Sequence, residues 1–134
     1  MKQPVKQSGM TLKQDYSEEL LLIEGYGDGG FRLKGRKFVG GLSVYADAFH
    51  PHDVANSDDL TVAALEVFSK SGDKPELILI GTGNSMKLLP SQFRKEAQAV
   101  GYAIEFMDTG AAARTYNVLL MEGRKVAAFL VAAE

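Results

Sequence analysis

A chain of 134 residues with 46% apolar side chains has enough material to bury one hydrophobic core without a covalent staple. Its 15 basic and 17 acidic groups leave a formal charge of −2 and alternate in sign along the chain, which excludes the basic face that a nucleic-acid binder needs. The absence of cysteine excludes disulfides, thiolate metal sites and thiol catalysis together.

Residues 1–15 are polar, with scattered Lys and Gln, and are expected to form a loosely held tail; 16–134 are expected to form a single domain. No continuous apolar core of a secretory signal precedes them, and the longest apolar run, Val126 to Ala133, is far short of a bilayer span, which predicts a soluble cytoplasmic protein. Leu20 to Glu24 is predicted as a first strand, followed by a turn over the glycine-dense Gly25 to Gly30. Phe31 and Leu33 alternate with Arg32 and Lys34 as in a half-buried strand, Lys34-Gly35 turns it, and Lys37 to Val39 returns, making an antiparallel meander. A further strand covers Leu42 to Ala46, with Leu42, Val44 and Ala46 on one face.

Phe49 to Ser57 is expected to be a loop by its Pro and Asn content. Ser57-Asp58-Asp59 then opens a helix with a capping hydroxyl and two carboxylates at its positive end, with Leu60, Ala64, Val67 and Phe68 on one side and Gly72 as its stop. Glu76 to Ile80 contains four consecutive apolar residues, the pattern of a strand buried on both faces, and ends in the turn Gly81-Thr82-Gly83. A helix is predicted from Pro90 to Val100 with Phe93, Ala97 and Val100 buried, then a strand over Tyr102 to Met107. Asp108-Thr109 caps a third helix that runs to Glu122 and stops at Gly123. Lys125 to Ala133 closes the chain as a strand apolar on both faces. The order predicts an α/β fold with a mixed central sheet, an N-terminal antiparallel meander and then strand, helix, strand, helix, strand.

The third helix carries Val118, Leu119, Leu120 and Met121 in four consecutive directions around its axis. One sheet face cannot cover all of them, so a second layer is required, either the meander or a second copy of the chain in a weak homodimer.

The carboxyl ends of parallel strands are where α/β sheets bind ligands, and two such ends, Gly81 to Gly83 and Asp108 to Thr109, are expected to face each other. Gly81 and Gly83 with Glu105 or Asp108 further on resemble a dinucleotide fingerprint. Against it, Met86 stands at the third glycine position and the helix starts only near Pro90. His50-Pro51-His52-Asp53 offers two imidazoles and a carboxylate but no third histidine, so no metal site is assigned. The start of the third helix is a better anion site: its first amides are unpaired donors, its small residues leave room, and Arg114 lies just over a turn in. The competing reading is that Asp108 caps its own helix and pairs with Arg114. The ligand-binding candidates are therefore Gly81, Thr82, Gly83, Asp108, Thr109, Arg114 and Asn117. No residue is assigned a catalytic role, because no nucleophile has a base that spacing can place beside it.

Gly29-Gly30-Phe31, the strand ending Gly81-Thr82-Gly83 with Pro90 beyond, Met107-Asp108-Thr109, Ala112-Ala113-Arg114-Thr115-Tyr116-Asn117 and Glu122-Gly123-Arg124 together resemble a known family. It is the small single-domain family that includes mitochondrial complex I assembly factor 3 and the adipogenesis-associated domain protein. The similarity runs from about residue 18 to the end. The resemblance implies a three-layer α/β fold, no cofactor, and a non-enzymatic role assisting assembly of a membrane-bound respiratory complex through an unidentified protein partner. The alternative is a protein that binds, or acts on, a small anionic ligand at the Gly81 to Gly83 and Asp108 to Arg114 loops.

Overall fold

The computed structural model describes residues 20–70 and 73–134, so the expected tail over 1–15 and the expected helix stop at Gly72 lie outside the described residues. Two sheets form. β1 (Gly25–Gly27), β2 (Gly30–Leu33) and β3 (Arg36–Val39) make an antiparallel meander in the order β1-β2-β3. β4 (Gly41–Tyr45), β5 (Ala48–His52), β6 (Leu77–Gly81), β7 (Ile104–Met107) and β8 (Val126–Leu130) form a five-stranded sheet in the order β5-β4-β8-β6-β7. β6 runs parallel to both β7 and β8, whereas β4 is antiparallel to β5 and β8. The sheet is thus mixed, with its parallel part in the C-terminal half as the apolar runs predict.

Two helices follow strands of the second sheet: α1 (Ser91–Ala99) and α2 (Thr109–Met121). The period-two alternation of the central strands assigns each side chain to one of two cores. Val126, Ala128 and Leu130 of β8, Leu79 of β6 and Leu42 and Val44 of β4 face α2 and the meander, where they meet Phe31, Leu33, Ala112, Ala113, Tyr116 and Leu120. Ala127 and Phe129 of β8 and Ile78 and Ile80 of β6 face the other way, onto Leu65, Phe68, Phe93 and Ala97. Three layers result, with the five-stranded sheet in the middle. All five residues of β8 are buried, because that strand is central and covered on both sides.

The structure corrects several sequence expectations. Leu20 to Glu24 is not a strand; β1 begins at Gly25, inside the stretch expected to turn. The backbone of Ile23 is instead satisfied by a side chain, since Asn117 Oδ1 accepts from its N–H at 2.9 Å and Asn117 Nδ2 donates to its carbonyl at 2.8 Å. The stretch from Phe49 is not all loop, because Ala48–His52 pairs with β4. Pro51 is tolerated there because β5 lies at the edge of the sheet, where a missing N–H loses no ladder bond. Ala46 does not share a face with Leu42 and Val44; it is an exposed turn residue with φ 56°.

The expected helix after Ser57 is two 3-10 segments, Ser57–Asp59 and Val62–Ser69, broken where Leu60 and Thr61 are extended. Leu65 and Phe68, its buried residues, are three apart, the repeat at which 3-10 side chains stack on one face. Pro90 caps α1 from outside instead of opening it, and Val100 is 47% exposed instead of buried.

The second layer over α2 comes from within the chain. Leu21, Ile23, Phe31 and Leu33 share a core with its inner face, and the Tyr116 hydroxyl donates to the Leu21 carbonyl at 2.9 Å. Val118 stays 49% exposed on the helix's outer side.

Deletion of Ala127 to Glu134 removes the strand between β4 and β6 and leaves both with unpaired edges. The shortened chain is expected to lose native amide dispersion and cooperative unfolding, read by nitrogen-proton correlation spectra and urea titration.

Candidate functional site

The carboxyl end of β6 meets the start of α2 at van der Waals limits. A Cβ at Gly81 would stand 2.8 Å from Leu130 Cδ2, 2.9 Å from Thr109 Oγ1 and 3.0 Å from Thr109 Cα, so only glycine permits this approach. Gly83 is required for a different reason, its φ of 103°. Between them Thr82 is buried. Its N–H extends the β6 to β7 ladder to the Met107 carbonyl at 2.9 Å, and its hydroxyl donates to the Ser85 carbonyl at 2.7 Å while accepting from the Lys87 N–H at 3.1 Å.

Thr109 is completely buried and closes the junction. Its hydroxyl accepts from the Gly83 N–H at 2.9 Å and donates to the Val131 carbonyl at 2.6 Å, while its own N–H donates to the Gly83 carbonyl at 2.9 Å. Val131 N–H in turn donates to the Gly81 carbonyl at 2.9 Å. Asp108 caps α2 through its Oδ1, which accepts from Ala111 N–H at 2.9 Å. The capping half of the competing sequence reading is therefore present, but Arg114 pairs elsewhere: its Nη1 donates to the Tyr26 hydroxyl, and the guanidinium carbon lies 5.9 Å from the Tyr26 ring centroid.

The seven candidate residues thus fall into two groups. Gly81, Thr82, Gly83, Asp108 and Thr109 are brought together, and their polar groups bond largely to one another and to β7 and the residue after β8. Arg114 and Asn117 face the N-terminal layer, Arg114 on Tyr26 and Asn117 on Ile23. Tyr26 carries no sequence signal for this position. Its ring lies so near Gly110 that a Cβ there would be 2.8 Å from it. With Asp28, Arg32 and Lys37, Tyr26 also lines a shallow cavity of about 200 Å³ over β1 and β2.

The two histidines do not converge on a metal geometry. His52 stacks on Phe129, with ring centroids 4.0 Å apart and planes 14° apart, and its Nδ1 accepts from Val54 N–H at 3.1 Å. That bond puts the proton of the neutral ring on Nε2, which is buried; the carbonyls of Leu42 and Leu130 lie near the ring but give Nε2 no bond of normal geometry. Burial holds the imidazole below its ordinary value of 6.5, against those carbonyls and Asp53, which favour the charged form.

The fold places this chain among the Mth938-like α/β proteins: it superposes on a Bordetella pertussis Mth938-like domain with a TM-score of 0.73 at 26% identity, covering 98% of this chain and 92% of that one. A Bartonella henselae structure described as an outer membrane protein gives a TM-score of 0.77 at 34% identity, over 86% of this chain and 97% of that one. The chain belongs to the family described as protein of unknown function (DUF498/DUF598), whose pattern matches residues 23–131. An uncharacterized protein of Rhodobacter capsulatus is 43% identical over 111 residues, 83% of this chain and 84% of the relative. NADH dehydrogenase (ubiquinone) 1 alpha subcomplex assembly factor 3 of Xenopus tropicalis is 32% identical over 115 residues. That match covers 86% of this chain but 63% of the assembly factor's length.

Thr109→Val keeps the side-chain volume but leaves Gly83 N–H and the Val131 carbonyl without their partner in a buried site, for an expected loss of about 2–4 kcal/mol. Thr109→Ser keeps both bonds and loses one methyl, about 1 kcal/mol. Urea titration of the two variants measures the difference.

His52 supplies a pH test. Because its folded pKa lies below its unfolded one, the unfolded chain binds the proton first as pH falls. Its contribution is complete above about pH 6.5 and declines as pH falls towards the folded value. His52→Gln is expected to lose this part of the slope, so that the stability difference between the two proteins changes between about pH 7 and pH 5.

Proposed function

We propose that this chain is a non-enzymatic interaction module of assembly-factor type, acting in the cytoplasm through protein contacts in the biogenesis of a respiratory membrane complex. The observation that carries the reading is the 32% identity to the Xenopus assembly factor across 86% of the chain. It supports an assembly-factor-like role. The geometry is consistent with it, because the polar groups at the β6 to α2 junction hold layers together. The following loop carries Met86 and Leu88, 56% and 65% exposed, as apolar surface for a partner. Among the described residues no helix is long and apolar enough to cross a membrane.

A second reading is a small anion held by the Gly81 to Gly83 and Asp108 to Arg114 loops; Arg114 itself is turned onto Tyr26, beside a cavity lined by Arg32, Lys37 and Asp28. A weak homodimer over the exposed outer side of α2 at Val118 is a further form of the interaction reading.

Affinity capture from native extract at low detergent, followed by mass spectrometry, tests the main reading. Enrichment of respiratory-complex subunits is expected, with loss of that enrichment in Met86→Ser/Leu88→Ser. Enrichment unchanged by the double variant moves the contact surface elsewhere, and a chain that captures no protein but shows saturable phosphate shifts lost in Arg114→Gln establishes the anion reading instead. Sedimentation equilibrium at tens of micromolar decides the homodimer.

A further inference from the structure

Among the described residues β7 is an edge strand whose one neighbour is β6. Ile78 N–H donates to the Ala103 carbonyl at 2.8 Å and Thr82 N–H to the Met107 carbonyl at 2.9 Å, so the odd-numbered residues of β7 direct their backbone groups into the sheet. In a parallel ladder alternate residues face alternate sides, which turns the N–H and carbonyl groups of Ile104 and Phe106 outward. The other edges are guarded or short. β5 carries Pro51, β3 carries Arg36 and Lys37, and β1 is three residues with two glycines. β7 has no proline and no basic residue; its half-buried Ile104 and Phe106 lie on the face of the second core, and Glu105 is exposed on the opposite face.

Glu105 decides what such an edge accepts. An antiparallel second copy that used the outward groups of both Ile104 and Phe106 would pair Ile104 with Phe106 and set Glu105 directly across from its own equivalent. Opposed like charges on neighbouring strands are destabilising. A strand that places Lys or Arg there, with apolar residues on either side, meets complementary charge and extends the apolar face of Ile104 and Phe106.

We infer that β7 is a docking edge for an extended segment of a partner protein with the pattern apolar, basic, apolar, which adds a sixth strand to the five-stranded sheet. This rests on the interaction reading above and names the chemistry of the partner.

A blocked peptide of about nine residues serves as the probe, alternating threonine and valine with isoleucine-lysine-isoleucine at its centre. Titrated into the labelled full chain, it is expected to give saturable shifts at the amides of Ile104 and Phe106. The same peptide N-methylated on its bonding edge is expected to give none, and a glutamate-centred version to bind at least about fivefold more weakly. In Glu105→Lys, an exposed position where folding is retained, the order of preference is expected to reverse. The inference is overturned if β7 shows no saturable shift at millimolar peptide, if the N-methylated peptide binds equally, or if the wild-type chain dimerises through β7. It is also overturned if a captured partner binds wild type and Glu105→Lys alike, and the interaction reading then survives. Absence of any captured protein sinks that reading separately.

Discussion

A buried hydroxyl joins three elements at the carboxyl end of the parallel strands. Thr109 Oγ1 accepts from the Gly83 N–H and donates to the Val131 carbonyl, so the first residue of α2 is bonded both to the turn leaving β6 and to the chain leaving β8. A buried hydroxyl with both capacities used holds its neighbours in one arrangement, because breaking either bond strands a buried polar group at a cost of about 1–3 kcal/mol. Gly81 is the steric counterpart, since Thr109 reaches this position only where no Cβ intervenes. Together they fix where α2 starts and how closely it lies on the sheet.

From that anchor α2 is tied into one core with the sheet and the N-terminal segment. Its small residues Ala112 and Ala113 are fully buried in that core, while Tyr116 and Asn117 bond the backbone of Leu21 and Ile23. The Asn117 amide pairs with both polar groups of Ile23 as a neighbouring strand would, which lets an irregular segment lie against a helix without unpaired backbone. Arg114 and Tyr26 continue the same seam toward β1. The residues that resemble a ligand site along the sequence are, in space, the residues that hold the layers together.

This arrangement bears on function. The donors at the junction are largely engaged by the chain itself. What the surface offers a protein partner is different in kind: apolar side chains after the junction at Met86 and Leu88, and a strand edge at β7 with outward backbone groups beside a single carboxylate. The similarity to assembly factors supports an assembly-factor-like role.

The strongly patterned segments were legible from the sequence. The apolar runs of β6 and β8 could be buried only in the middle of a sheet, the alternation in β2 could only be a one-sided strand, and Asp108 with Gly123 marks the two ends of α2 by capping and by a φ of 83°. The order of strands along the chain also set the mixed character of the sheet. The weakly patterned segments were decided by tertiary contacts. β5 is a strand because β4 offers it a ladder, β1 starts at Gly25 because Asn117 captures Ile23 first, and the segment after Ser57 winds as 3-10 turns that present Leu65 and Phe68 to the core. For the candidate site, the sequence determined which polar and small residues stand at the strand ends, but the partners that engage Thr109, Arg114 and Asn117 lie 22 to 94 residues away along the chain. Whether a threonine or an asparagine opens toward a ligand or closes onto a carbonyl depends on which chain segment arrives beside it. Only the packing of the three layers decides that, because local sequence carries no term for a contact between residues so far apart.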